Sequence, residues 1–121
     1  MLGGVKLNNE YFGMDKKRYE TRGIAEDLEV LYRFILWTLV DSLRDNKDVQ
    51  MDYLQVFEFS CDTDDKTLCV SQNTYKQRIV HSQEQPEYRV EYEISVETPI
   101  NGKIFVIDDG DHCTMLWADE Y

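Results

Sequence analysis

Cysteine and long apolar runs are scarce in this 121-residue chain, and both absences narrow the class of protein. The three cysteines, Cys61, Cys69 and Cys113, are odd in number and lack the regular spacing of a disulfide framework. We therefore expect a reducing compartment and a cytoplasmic protein. No apolar run reaches the roughly 18 to 20 residues that cross a bilayer. The N-terminus also lacks the basic and apolar regions of a signal peptide, so we expect no membrane partner.

Signatures of catalysis and of cofactor binding are missing as well. The sequence has no nucleophile triad, no glycine-rich loop of the kind that cradles phosphate, and no paired cysteine knuckle. We therefore expect no catalytic residue and no cofactor.

Basic residues are few, with 13 against 24 acidic residues and a net charge of −11. The imbalance is greatest from Glu84 to Tyr121, a segment with ten acidic and two basic side chains. Charge of this size and sign repels nucleic-acid phosphates and anionic lipid. The aromatic residues of this region also lie among carboxylates, whereas proteins that bind single strands place them among cations. We expect no direct nucleic-acid binding.

The length fits one domain with a core that needs no disulfide or metal. The hydrophobic content of 42% argues against disorder. Residues 1 to 17 mix glycine, asparagine and charges without periodicity, which predicts a loose N-terminal arm. Residues 18 to 121 are expected to form a single α+β domain, and residues 1 to 13 are expected to contribute little burial.

One long amphipathic helix is predicted over residues 26 to 45. Apolar side chains recur there at three- and four-residue spacing, which places on one face Leu28, Leu31, Ile35, Leu39 and Leu43. We expect this stripe to pack on a sheet, with Leu31, Ile35 and Leu39 against its clearest strand, Tyr88–Val96.

The rest of the chain has the patterns of strands and turns. In chain order, the predicted strands are residues 19–23, 53–59, 75–81 and 88–96, and a hairpin over 103–121 that turns at Gly110. In residues 88–96 the apolar side chains share one parity and the charged ones the other, which predicts one core face and one acidic face. The predicted fold is one helix packed on a mainly antiparallel meander sheet of about five strands.

Four segments together resemble a known family: RYETRGI at Arg18–Ile24, DYLQVFEF at Asp52–Phe59, IVHSQEQPEY at Ile79–Tyr88 and KIFVIDDGDHCTMLWADEY at Lys103–Tyr121. They are similar to the staphylococcal domain-of-unknown-function family, small proteins of Gram-positive bacteria and their mobile elements. The resemblance covers Arg18 to Tyr121. It implies a compact α+β domain of unassigned activity and supplies no functional residues.

The hairpin turn holds the best candidates for metal ligands. Asp108, Asp111 and His112 are close in sequence, and His81 could join them from another strand. Most oxygen ligands of an EF-hand are missing. Because aspartate and glycine are also what a tight turn requires, the favoured interpretation is a solvated turn without metal. Cys113 cannot form a dyad with His112, since neighbouring strand residues point to opposite faces, and a buried inert cysteine is favoured.

Glu91 and Glu93 give the sequence its most regular acidic row. Alternate strand residues lie roughly 6.5 to 7 Å apart. Such carboxylates resemble the phosphate spacing of DNA, which is one hypothesis for function: an acidic nucleic-acid mimic that inhibits a DNA-binding protein. A solvated face of an antiparallel sheet is the favoured alternative.

Phe105 and Ile107 point to a second contact surface. Their strand is apolar on both parities, yet the one predicted helix covers only one face of the sheet. We predict a weak or moderate homodimer through these neutral strands, away from Glu91 and Glu93. The favoured function is a cytoplasmic binding or regulatory module that acts through contact with a protein partner of open identity. The alternatives are the nucleic-acid mimic and, third, a metal-dependent enzyme.

Overall fold

The structure, a computed structural model, describes residues 11–61 and 74–121. Residues 1–10 of the predicted arm and Cys69 lie outside this part of the chain. The elements are, in order, β1 (Lys17–Glu20), α1 (Arg22–Asp27), α2 (Val30–Arg44), β2 (Leu54–Ser60), β3 (Tyr75–Gln83), β4 (Tyr88–Val96), β5 (Gly102–Asp108), β6 (His112–Trp117) and a 3-10 turn (Ala118–Glu120). In residues 11–61 and 74–121, no helix has the length and hydropathy to span a bilayer.

The strands form one six-stranded sheet in the order β1-β6-β5-β2-β3-β4. Four neighbouring pairs are antiparallel, and β1 runs parallel to β6. The α+β class with one main helix is confirmed, whereas the prediction of about five strands in a mainly antiparallel meander lacked the sixth strand and the parallel pair. The strand predicted over residues 19–23 overlaps β1 only at its end, and the partner of β1 lies almost a hundred residues away, so no local pattern reveals the parallel pairing.

The predicted helix over residues 26–45 corresponds to the end of α1 and the whole of α2, with a break between them. Thr21 caps α1 by accepting a hydrogen bond from the Ile24 backbone nitrogen at 3.2 Å. Leu28 then adopts an extended backbone, which ends α1 before α2 begins. The predicted apolar stripe is wrong at Leu31, which is 60% exposed, because α2 instead buries Tyr32, Leu36, Val40 and Leu43.

Tyr32 fixes the orientation of α2 over the sheet. Its ring packs edge-on against Phe59 of β2 with centroids 5.3 Å apart, and its hydroxyl lies 3.3 Å from the side-chain oxygen of Gln77 on β3. Burial raises the pKa of Tyr32 to about 12, so this hydroxyl stays a hydrogen-bond donor. Both helices contribute buried residues to one core, which also contains Phe57, Ile79, Ile104, Val106 and Met115.

The segment before β1 reaches this core through Phe12. Phe12 is 0% exposed, its backbone nitrogen donates to Asp108, and its carbonyl accepts from Arg44. The expectation that residues before Met14 contribute little burial is therefore wrong at Phe12. Because the residues around Phe12 follow no apolar period, its burial depends on partners distant in sequence, such as Asp108 and Arg44.

The two hairpins at the C-terminal end follow the sequence closely. β4 spans Tyr88–Val96 as predicted, with half-buried and exposed residues in strict alternation. The β5–β6 turn includes Gly110, whose φ of 108° lies in the region that favours glycine. Gly102 has a φ of 148° and lies under Trp117, where an added Cβ would come within 3.0 Å of the indole.

Candidate functional site

The sheet has two unlike faces. The face toward α2 carries the buried residues of the core, and we call the opposite side the open face. Strand register places on the open face the side chains of alternate residues, among them Val56, Phe105 and Glu91. All four partner-contact residues named from the sequence, Glu91, Glu93, Phe105 and Ile107, therefore share one face.

The centre of the open face is an apolar patch made of Leu54, Val56, Phe105, Ile107 and Leu116. Register pairs Val56 with Phe105, Phe105 with Leu116, and Leu54 with Ile107, so these side chains are cross-strand neighbours. Ile107 and Leu116 are buried, whereas Leu54, Val56 and Phe105 are half-buried. The apolar patch thus presents accessible hydrocarbon at the middle of a sheet.

Aromatic side chains surround the patch. Tyr121, 74% exposed, packs edge-on against Phe105 with ring centroids 5.6 Å apart. Tyr19 contacts His112 edge-on at 5.4 Å. Tyrosine combines a large apolar ring with a polar tip, and it is enriched at protein interfaces for that reason.

A groove of about 270 Å³ runs along β2 beside the apolar patch. Leu54 and Val56 contribute to its lining, and its charged lining residues are Asp52, Glu58, Glu84 and Lys103. With three carboxylates and one ammonium, the lining of this groove has a net negative charge, like the chain as a whole. The groove can therefore accommodate apolar groups flanked by cations.

The acidic row of β4 is interleaved with cations. Glu91 lies 3.4 Å from the Arg78 guanidinium and 3.2 Å from Arg89, while Glu93 lies 3.8 Å from Lys76. Arg78 comes from β3, directly opposite Glu93 in the register. Around β4, therefore, the charges of the two glutamates are offset by neighbouring cations.

Asp108, a candidate ligand from the sequence, points to the covered face. Burial of its carboxylate opposes ionisation, but hydrogen bonds from Lys16, the Phe12 nitrogen and the Gly110 nitrogen outweigh this and lower its pKa. The three donors lie 2.7, 2.7 and 2.8 Å away. Asp108 thus joins the segment before β1 to the last hairpin.

Asp111 and His112 lie on the other side of the hairpin from Asp108. The His112 imidazole contacts Asp111 through Nδ1 at 2.7 Å and Asp109 through Nε2 at 3.2 Å. The hydrogen bond with His112 lowers the pKa of the Asp111 carboxyl. These contacts join the two ends of the turn.

His81 lies on the covered face of β3, away from the hairpin. Three strand spacings separate β3 from β6, or roughly 14 Å. The structure therefore does not bring His81 together with Asp108, Asp111 and His112. In the described residues, no group of three or more histidine, cysteine or carboxylate side chains is arranged to hold a metal ion.

His81 belongs instead to a buried polar chain. Its Nε2 lies 2.7 Å from the Gln55 side-chain oxygen, and the Gln55 amide donates to Gln83 at 2.8 Å. Because Gln55 presents its oxygen, His81 carries the proton on Nε2 and donates it. Its ring stacks on Phe57 with centroids 4.3 Å apart, and burial lowers the pKa of His81 to about 4.

Cys113 is buried on the covered face, opposite in direction to His112. Burial, followed by the negative charge of Asp108, raises the pKa of its thiol to about 11. A thiol with so high a pKa is a poor nucleophile at neutral pH.

Three residues of the apolar patch, Leu54, Val56 and Leu116, were not among the contact residues named from the sequence. The apolar residues of β2 fall on both parities, a pattern that is also typical of a strand covered on both faces. The structure shows that one of these parities is only half-buried. Leu116 has the parity opposite to Cys113 and Met115, which is the signal that could have placed it on the open face.

A solved structure shares this fold. The crystal structure of the protein of unknown function from Enterococcus faecalis aligns with a TM-score of 0.65 and 24% sequence identity, covering 93% of this chain and 96% of that one. At this identity the likeness shows the fold alone. No curated protein matches the chain.

A family model described as "Staphylococcal protein of unknown function (DUF960)" matches residues 17–120. The match begins at the first residue of β1 and ends at the last residue of the 3-10 turn, so it includes all six strands and the whole apolar patch. This chain therefore belongs to the DUF960 family.

Proposed function

We propose that the protein is a binding module whose open face docks a protein partner with apolar side chains and a basic rim. The observation that carries this proposal is the apolar patch, in which Leu54, Val56 and Phe105 are only partly buried at the centre of the sheet. A one-sided antiparallel sheet normally carries polar residues on its solvent face. Contiguous hydrocarbon in that position is typical of an interaction surface.

The charge around the patch indicates the chemistry of the partner. Asp52, Glu58 and Glu84 line the groove along β2, with Lys103 as the one cation of its lining. Complementary potentials favour partners of opposite charge and suppress partners of like charge. A partner that presents lysine or arginine around an apolar contact therefore fits this surface better than an acidic protein does.

The open face supports protein contact better than nucleic-acid mimicry. Mimicry needs a row of carboxylates that a phosphate-binding site can contact, but Glu91 and Glu93 each have a cation from this chain within 4 Å. A DNA-binding site would have to displace Arg78, Arg89 and Lys76 first. The apolar patch needs no such rearrangement to bind a partner.

Site-specific photo-crosslinking tests the proposal. A benzophenone side chain in place of Val56 should crosslink a protein in the native cell that the same group in place of Asn46, an exposed residue after α2, does not. The captured protein is then purified and its affinity measured. Val56→Arg should weaken binding by about tenfold or more, and Asn46→Arg should not.

Salt provides the second arm of the experiment. If a basic rim contacts the groove, affinity should fall as ionic strength rises, and Glu58→Lys with Glu84→Lys should remove most of that dependence. Equal capture from Val56 and Asn46, or an affinity that Val56→Arg leaves unchanged, would overturn the assignment of the open face.

A further inference from the structure

Phe12 fixes where the chain before it leaves the core. Its side chain is fully buried, its backbone nitrogen donates to Asp108 at 2.7 Å, and its carbonyl accepts from Arg44 at 3.1 Å. Its φ of 61° lies in the left-handed region that a phenylalanine rarely adopts, and such a conformation persists only where the surroundings hold it. The core therefore sets the point from which residues 1–10, outside the described part of the chain, extend.

Tyr11 places this point beside the groove of the open face. Its ring is tilted against the ring of Tyr53 with centroids 6.5 Å apart, and both residues are exposed. Tyr53 lines one end of the groove along β2, and Glu58 lines the groove further along the strand. The chain that precedes Tyr11 thus starts at the Tyr53 end of the groove.

Residues 5–10 have the length to follow the groove. Lys6 precedes Tyr11 by five residues. Glu58 follows Tyr53 by the same number. At roughly 3.3 Å per residue, each extended span is about 17 Å. A segment that lies on β2 in the opposite direction therefore brings Lys6 to the level of Glu58.

The side chains of this segment match the lining of the groove. Val5 and Leu7 share one parity of an extended segment. The groove offers them the apolar side chains of Leu54 and Val56. Lys6 lies between the two apolar residues, and its long side chain can keep its stem on hydrocarbon while its ammonium reaches a carboxylate at the rim.

The carboxylates of the groove are available to such a cation. In residues 11–61 and 74–121, neither Glu58 nor Glu84 forms an ion pair, although Lys103 lies opposite Glu58 in the register. Glu91 and Glu93, in contrast, each have a cation within 4 Å. A lysine is therefore attracted to the groove more strongly than to β4.

We propose that residues 5–10 of this chain lie along the groove of the open face, with Leu7 on Val56 and Lys6 beside Glu58. Because the segment belongs to the same chain, its effective concentration at the groove is on the order of millimolar. A contact that would be weak between separate molecules is then occupied for much of the time.

The segment competes with a protein that docks on the same groove. This consequence rests on the proposed function, whereas the contact within the chain needs no partner. Leu7→Ser should raise the affinity of the partner captured through Val56 by at least about twofold, the factor for a groove that is occupied half of the time. An unchanged affinity would overturn the competition.

Photo-crosslinking in the isolated full chain tests the contact itself. A benzophenone side chain in place of Leu7 should crosslink to residues 52–58 of the same chain, with a yield that does not depend on protein concentration. Lys6→Glu should lower this yield by about threefold or more at low salt, because repulsion from Glu58 replaces attraction. Lys47→Glu makes the same charge change at an exposed residue after α2 and should leave the yield unchanged.

Charge reversal on both sides completes the experiment. Glu58→Lys added to Lys6→Glu should restore the yield that Lys6→Glu alone removes. A product that joins two chains and grows with concentration would assign the groove to a second copy and overturn the proposal. A Leu7 probe that reacts mainly outside the groove would also overturn it. Because this measurement needs no partner, its failure is distinct from a failure to capture a protein through Val56.

Discussion

Phe57 and Phe105 lie on neighbouring strands of the same sheet, yet one belongs to the core and the other to the open face. Phe57 is 0% exposed and stacks on His81, whereas Phe105 is half-buried beneath Tyr121. The two residues are identical, so their roles follow from which face of the sheet the helices cover. Apolar content alone therefore does not separate a residue that holds the fold together from one that is available for binding.

The largest expected effect comes from making one substitution on each face. Phe57→Ala should lower the free energy of unfolding by about 4 kcal/mol, because it removes a fully buried ring and leaves a cavity. Phe105→Ala should lower it by only about 2 kcal/mol, since its ring is partly exposed and its loss leaves no enclosed cavity. Urea unfolding of both variants measures the difference. Equal losses would mean that the open face is part of the core.

Phe12 shows how far the covered face extends along the chain. Phe12→Ala should lower the free energy of unfolding by about 3 kcal/mol, because the side chain is fully buried among core residues. Met14→Ala is the matched control, since Met14 is 85% exposed and should cost little. Thermal unfolding compares them. If the Phe12→Ala variant were as stable as Met14→Ala, the segment before β1 would not contribute to the core.

The ends of β4 could be predicted to the residue because its period-two pattern persists over nine positions. α2 could not be oriented in the same way, since apolar residues occur on most of its circumference and several stripes compete. Its orientation is decided by Tyr32, whose partners Phe59 and Gln77 lie on strands far along the chain. The same reason applies to Phe12, whose burial depends on Asp108.

In the candidate site, too, some features follow from local pattern and others depend on partners distant in sequence. Parity placed Phe105 and Ile107 on a face that the predicted helix leaves uncovered, and the structure puts both in the apolar patch. Parity cannot show that Arg78 and Lys76 of β3 lie beside Glu91 and Glu93, because that depends on the register between two strands. Local alternation predicts which face of the sheet a side chain points to. Its cross-strand neighbours follow only once the pairing and register of the strands are known.

His81 gives the covered face a pH dependence. Its pKa falls from 6.5 to about 4 on folding, so the unfolded chain binds the additional proton between these values. The contribution of His81 to stability is complete above pH 6.5 and is lost as pH falls toward 4. Lowering the pH from 7 to 5 should therefore reduce the free energy of unfolding by about 2 kcal/mol through the protonation of His81 in the unfolded chain.

His81→Gln is the variant that tests this effect, because glutamine does not titrate and can still donate to Gln55. Urea unfolding at several pH values should give a shallower loss of stability for the variant than for the wild type in this window. Parallel profiles would show that His81 is not kept neutral by the core.

The smallest effect is expected at the exposed side of β4. Glu93→Lys removes an ion pair with Lys76 whose partners are about half-exposed, and such pairs contribute little because water and salt screen them. The substitution should change the free energy of unfolding by less than about 0.5 kcal/mol. Its neighbour Tyr92 points to the covered side, where Tyr92→Asp should cost at least about 2 kcal/mol because a carboxylate would enter apolar surroundings. Chemical unfolding of the two variants measures how much the free energy of unfolding differs between two adjacent residues on opposite faces. Similar losses for both would contradict the alternation that defines the open face.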